Sequence, residues 1–166
     1  MTESYGELPE EIDLLDLVEQ LIRAQGWTCE RSGAEELRAD VPGDWGTYAL
    51  SCAWNDELGL FQIACDYDFA VPEERRPALD ALLALANPRM WLGHFEHDPE
   101  AGVVGWRYGV LVREGMAVSS ELVADLVDIA VSECDRFHPA FRFVLEKGLA
   151  PRTAIEATLL ETRGEA

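Results

Sequence analysis

The stretch Thr47–Phe69, "TYALSCAWNDELGLFQIACDYDF", alternates apolar and other residues with a period of two on both sides of a short polar break. Successive side chains of a strand point to opposite faces. Tyr48, Leu50, Cys52 and Trp54 therefore share one face of a first strand, and Phe61, Ile63, Cys65, Tyr67 and Phe69 share one face of a second. The break "NDELG" is short enough for a hairpin connection. Setting Trp54 opposite Phe61 brings Cys52 against Ile63 and Leu50 against Cys65. In that register the two apolar stripes coincide and the two thiols are not partners.

Upstream, "WTCERSG" and "ELRADVPG" read as two further short strands joined by a Ser-Gly turn, with Leu37, Ala39 and Val41 on one face. Before them the period is helical. Over residues 11–25, Leu14, Leu15, Leu17, Val18, Leu21 and Ile22 fall in one arc. Asp13, Asp16, Glu19, Gln20 and Arg23 lie opposite, and Gly26 is a suitable stop. Residues 1–9 form an acidic tail, and residues 10–166 one domain, as the length of 166 residues suggests.

Downstream, Pro72 opens a helix, "PEERRPALDALLALAN", with Leu79, Leu82, Leu83 and Ala86 on its buried face and Asn87-Pro88 as its end. A strand "MWLGHFEHD", a turn "PEAG" and a strand "VVGWRYGVLV" follow as a second hairpin. Ser119 and Ser120 cap a third helix, largely buried through Leu122, Val123, Leu126, Val127, Ile129, Ala130, Cys134 and Phe137. Pro139 is expected to bend or interrupt it before "AFRFVLEKG" resumes, and Pro151 opens a last helix, "PRTAIEATLLET". Strands and helices do not alternate as βαβ units. The expected class is α+β, an antiparallel sheet with flanking helices, containing Tyr48–Trp54, Leu60–Phe69, Met90–Glu96 and Val103–Val112.

The charge constrains function. Thirteen Lys plus Arg against 32 Asp plus Glu give −19. Such a surface repels phosphate backbones and anionic lipid, which argues against nucleic-acid and membrane partners. It suits solubility, and it suits basic peptide segments. The N-terminal sequence has no basic region followed by an apolar one, and no run reaches the ~18 apolar residues of a membrane span. The expected location is the cytoplasm. The cysteines, Cys29, Cys52, Cys65 and Cys134, form no CxxC pair and read as reduced thiols without metal.

The densest chemistry is "HFEHD", residues 94–98. On a strand His94 and His97 point to opposite faces and cannot chelate together. His94, Glu96 and Asp98 share a face, and a catalytic zinc needs about three such ligands. The remaining histidine, His138, stands beside Pro139, so a polar strand face is the favoured reading. "CDYD" sets Asp66 and Asp68 on one face with Gln62, a cation spacing that is common in acidic chains and reads as solvated. Glu133 falls inside the apolar arc of the third helix, where burial would raise its pKa. The favoured alternatives are an exposed end of that arc or a snorkelling side chain. Trp45, in a turn-rich loop, is expected to cap the core, with a contact residue as the alternative reading. No P-loop, G-x-S-x-G or G-x-G-x-x-G is present.

Taken together, "QGWTCERSGAEEL", "VPEERRPAL", "MWLGHFE" and "CDRFHPAFRFV" resemble the bacterial YbjN domain family of sensory transduction regulators, over roughly residues 10–162. The resemblance implies a fold like that of type III secretion chaperones, with a curved antiparallel sheet and often a dimer. It implies no catalytic, cofactor-binding or metal residues. The expected function is a non-enzymatic, protein-binding adaptor or chaperone-like regulator in bacterial signalling. It would act as a homodimer and capture an extended or amphipathic segment of a protein not yet identified. The alternatives are a small-ligand sensor and a metal-dependent hydrolase using His94, Glu96, Asp66 and Asp68. A wide apolar arc on the third helix adds a second reason to expect another subunit.

Overall fold

A computed structural model of the chain describes residues 13–113, 116 and 118–161. The acidic tail over residues 1–9 lies outside the described residues. The elements are α1 (Leu14–Ala24), β1 (Cys29–Ser32), β2 (Glu36–Gly43), β3 (Gly46–Asn55), β4 (Leu60–Asp66), α2 (Arg76–Ala86), β5 (His94–Asp98), β6 (Val103–Leu111), α3 (Ser120–Leu145) and α4 (Pro151–Glu161). A 3₁₀ turn, Glu73–Arg75, leads into α2, and another, Asn87–Arg89, leads out of it.

The strands form one six-stranded antiparallel sheet in the order β1-β2-β3-β4-β6-β5. The β3–β4 register is the predicted one, with Leu50 opposite Cys65, Cys52 opposite Ile63 and Trp54 opposite Phe61. One cross-strand row, Ala39, Leu50, Cys65, Trp106 and Phe95, is buried from β2 to β5. The helices cover that face. α1 packs on β1 to β3 and α3, α3 lies across β2, β4 and β6, and α4 rests on α2 and α3. The class is α+β, as expected, with the helices on one side of the sheet.

Caps and ties follow from side-chain chemistry. Asp13 caps α1 by accepting the Leu15 N–H at 2.9 Å. Arg31 on β1 reaches back to Asp16 at 2.6 Å and Asp13 at 3.2 Å, fixing α1 to the sheet edge. Inside, Tyr67, Phe95, Phe137 and Phe141 form an aromatic cluster with ring centroids 5.0–6.0 Å apart. The buried Tyr67 hydroxyl donates to the Cys134 carbonyl at 2.8 Å, so no polar group is stranded there.

Several features differ from the sequence reading, among them the start of α2 at Arg76 after the 3₁₀ turn and the three that follow. β5 begins at His94, not Met90. Gly93 adopts φ 70°, and a Cβ there would run into the Trp106 indole, so the chain cannot enter as a continuous pleat. β4 ends at Asp66 instead of Phe69, although the Tyr67 N–H still reaches the Val104 carbonyl at 3.1 Å. α3 runs unbroken through Pro139. Proline removes one N–H from the ladder, but Phe137, Ala140 and Phe141 around it are fully buried. Their packing outweighs the ~3 kcal/mol an interior proline costs.

Candidate functional site

The face of the sheet away from the helices carries most of the residues singled out from the sequence. The pairing orders it in rows. Arg38, Ser51, Ala64, Arg107 and His94 lie opposite one another in one row, and Asp40, Ala49, Asp66, Gly105 and Glu96 in the next. Small side chains floor the middle of a trough of about 610 Å³ that reaches from Thr28 and Glu30 to Asp98 and Val103. Arg107 stands in this floor. It donates to Asp66 at 2.6 Å and approaches Glu96 at 3.2 Å, and Glu96 in turn lies 3.4 Å from His94. Gly105 makes the Asp66–Arg107 pair feasible, because a Cβ there would overlap the Asp66 side chain and the β4 backbone.

His94, Glu96 and Asp66 are therefore brought together, but around a guanidinium that occupies the cationic position between the two carboxylates. Asp68 is separated from them. It lies beyond the end of β4, near Gly46 and within electrostatic reach of His138. His97 pairs with the buried Val104 and faces the other way from His94. Asp98 accepts the N–H groups of Glu100 and Ala101 at 2.9 and 3.1 Å, which hold its carboxyl below the ordinary range and shape the β5–β6 turn.

At the opposite side, the β2–β3 turn is latched onto α3. The Tyr48 hydroxyl donates to Asp135 at 2.5 Å and the Asp44 N–H donates to the same oxygen at 2.8 Å. Burial, then the carboxylate, push the Tyr48 phenol far up. Trp45 stacks on His138 with centroids 5.6 Å apart and planes 3° apart. The expected cap is thus half realised: one indole face covers His138, and 57% of the residue stays exposed. Burial lowers the His138 pKa and Arg142 lowers it further, against Asp68, Asp135 and Glu146. Glu133 is half-buried, raised by that burial and moderated by Arg136 at 3.3 Å.

A third region was not singled out from the sequence. Pro88, Arg89, Met90 and Trp91 form one wall of a groove of about 920 Å³, and Arg136 of α3 with Glu156, Leu159 and Leu160 of α4 form the rest. Trp91 is completely exposed at 101%, and Leu160 is exposed at 68%. The left-handed turn at Gly93 turns Trp91 out of the sheet.

The sequence profile described as "YbjN: Putative bacterial sensory transduction regulator" matches residues 14–143. The chain belongs to the YbjN family. The fold agrees with a solved structure described as "Crystal structure of YbjN, a putative transcription regulator from E. coli", at a TM-score of 0.52 and 13% identity, covering 89% of this chain and 93% of that one. At that identity the likeness speaks for the fold alone. A search among curated proteins found no match.

Within "HFEHD" of this YbjN-family chain, Glu96 pairs with Arg107 and Asp98 shapes the β5–β6 turn. Among the described residues no three His, Cys, Asp or Glu side chains converge as metal ligands, and no helix is long and apolar enough to cross a membrane. Most of the wide apolar arc of α3 is met within the chain by the sheet, α1, α2 and α4, while Leu122, expected to be buried, stays 40% exposed at its start.

Proposed function

We propose that this regulator-family chain is a non-enzymatic, cytoplasmic adaptor that works by binding another protein at the groove beside Trp91. One observation carries the reading: a tryptophan left wholly bare next to Met90, Leu159 and Leu160, in a chain whose other large aromatics are mostly buried. Contiguous exposed apolar surface marks interaction sites, and tryptophan is a favoured anchor in them. Against the hydrolase alternative, Asp66 and Glu96 are paired with Arg107 and Asp68 lies apart from them. The sensor alternative retains the sheet trough, whose central charges are already paired with one another.

The test is capture from native cytosol with wild-type and Trp91→Ala bait, read by quantitative mass spectrometry. A partner retained by the wild type and lost with the variant supports the adaptor. Identical recovery by both baits overturns it. The homodimer expected from the chaperone resemblance is part of the same proposal, on a face other than this groove. Light scattering at micromolar concentration in moderate salt decides it, since salt limits repulsion between acidic copies.

A further inference from the structure

We propose that the groove beside Trp91 receives an amphipathic α-helix of a partner protein, seated along α4, with carboxylates flanking its apolar stripe. The proposal rests on the docking role given to this groove and adds the chemistry of what docks there.

The shape of the groove points to a helix. α4 buries Ala154, Ile155 and Thr158 against the body of the protein. Glu156, Leu159 and Leu160, at spacings of i, i+3 and i+4, line the groove from the same helix. A helix that ends at solvent needs one apolar stripe; α4 carries apolar side chains beyond its buried one. Residues at that spacing form the ridge into which a second helix packs. The opposite wall is Trp91, Met90 and Pro88. A helix about 10 Å across that rises ~5.4 Å per turn fills roughly 420 Å³ per turn. The groove of about 920 Å³ thus accommodates about two turns. That is enough for an i, i+3, i+4, i+7 set of anchors.

Charge points to carboxylates. The whole chain has 13 basic against 32 acidic residues, yet this groove is lined by Arg89 and Arg136 against Glu156. Arg136 is held by Glu133 at 3.3 Å and lies over the Phe137 ring. Arg89 donates to the Leu85 carbonyl and has no ion pair among the described residues. A basic segment is drawn to a −19 surface almost anywhere, whereas an acidic amphipathic helix is repelled by most of that surface and gains locally beside these guanidiniums. Complementarity of this kind sets which partner docks and in what register.

The experiment uses the full chain and two synthetic fluorescein-labelled helices that share one Leu/Trp stripe. One carries Glu at the flanking positions, the other Lys. Fluorescence anisotropy is measured at ~0.15 M salt, where the screening length is about 8 Å. The expected result is that the Glu helix binds at least about ten-fold more tightly than the Lys helix. Trp91→Ala should weaken it by a similar factor. Arg89→Gln, which keeps a donor for Leu85, should narrow the preference, and Arg89→Glu should reverse it. Tighter binding of the Lys helix that is still lost in Trp91→Ala overturns the carboxylate chemistry and leaves the docking surface standing. Binding of neither helix, or equal binding to wild type and Trp91→Ala, overturns the docking surface itself. A dimer by light scattering that Trp91→Ala returns to monomer assigns the groove to a second copy and also overturns the proposal.

Discussion

Gly105 and Gly109 lie on the same strand and the same outer face, and replacing each by alanine should have opposite consequences. At Gly105 a Cβ would overlap the Asp66 carboxylate, and it would approach the Cys65 carbonyl oxygen and the Asp66 Cα to 2.5 and 2.8 Å. Two of these neighbours are backbone of the adjacent strand, so relief requires β4 and β6 to part. Overpacking of this sort costs about 1–3 kcal/mol. Displacing Asp66 from Arg107 adds about 1 kcal/mol, since both side chains are only about one-fifth exposed and the pair is 2.6 Å long. The sum is about 2–4 kcal/mol, and at ~3 °C per kcal/mol for a chain of this size Tm should fall by about 6–12 °C. At Gly109 a Cβ would meet only Leu60 Cδ1 at 3.5 Å and the Phe61 carbonyl at 4.0 Å, both ordinary contacts. Alanine there reduces the freedom of the unfolded chain and should leave Tm level or raise it by ~1–3 °C. Thermal unfolding by circular dichroism checks both. Asp66→Ala in the Gly105→Ala background should recover part of the loss but not all, because the backbone overlap persists. Equal tolerance of alanine at the two glycines would refute the account of the outer face.

Tyr48→Phe removes the hydroxyl that donates to Asp135, leaving the Asp44 N–H as that oxygen's partner, and should cost about 1–2 kcal/mol in urea unfolding. His138 is buried and its pKa lies below the ordinary 6.5. The unfolded chain takes up a proton first, so this group's contribution falls as pH drops through 6.5 and levels off below the folded pKa; His138→Gln should flatten the dependence between pH 8 and 6. Burial pushes the Cys52 thiol up to about 12, and Cys65 and Cys134 are buried with it, while Cys29 is half-buried. A thiol reagent at pH 8 should therefore modify Cys29 quickly and the other cysteines only after denaturation, with uniform rapid reaction as the contrary result. Replacing His94 and His97 together by alanine should leave partner capture intact, because neither lines the groove at Trp91.

Why the sheet was readable and the groove was not has a local explanation. Period-two alternation from Tyr48 to Phe69 specifies both strands and their register, because slipping by one residue would turn Tyr48, Leu50, Cys52, Phe61, Ile63 and Cys65 to the solvent together. The Asp66–Arg107 pair was not visible, since nothing in the order of residues tells that β6 inserts between β4 and β5. Arg107 therefore comes beside acids from two different hairpins only once the strand order is known. The groove was lost through a single misread strand. Running β5 from Met90 to Asp98 places Met90 and Leu92 on the outer face with His94, Glu96 and Asp98, and turns Trp91 to the core beside Phe95. That parity conflict was present in the sequence. A chain that packs both Leu92 and Phe95 against the core has to change phase between them, and Gly93 is the residue able to do it at φ 70°. The phase change lets the Leu92 carbonyl accept the Trp106 indole N–H at 3.1 Å and sends Trp91 outward. The same glycine that sets the start of the strand thus creates the exposed tryptophan on which the adaptor reading stands. A parity break at a glycine beside an aromatic residue is a signal of a surface anchor that periodicity alone reads as strand.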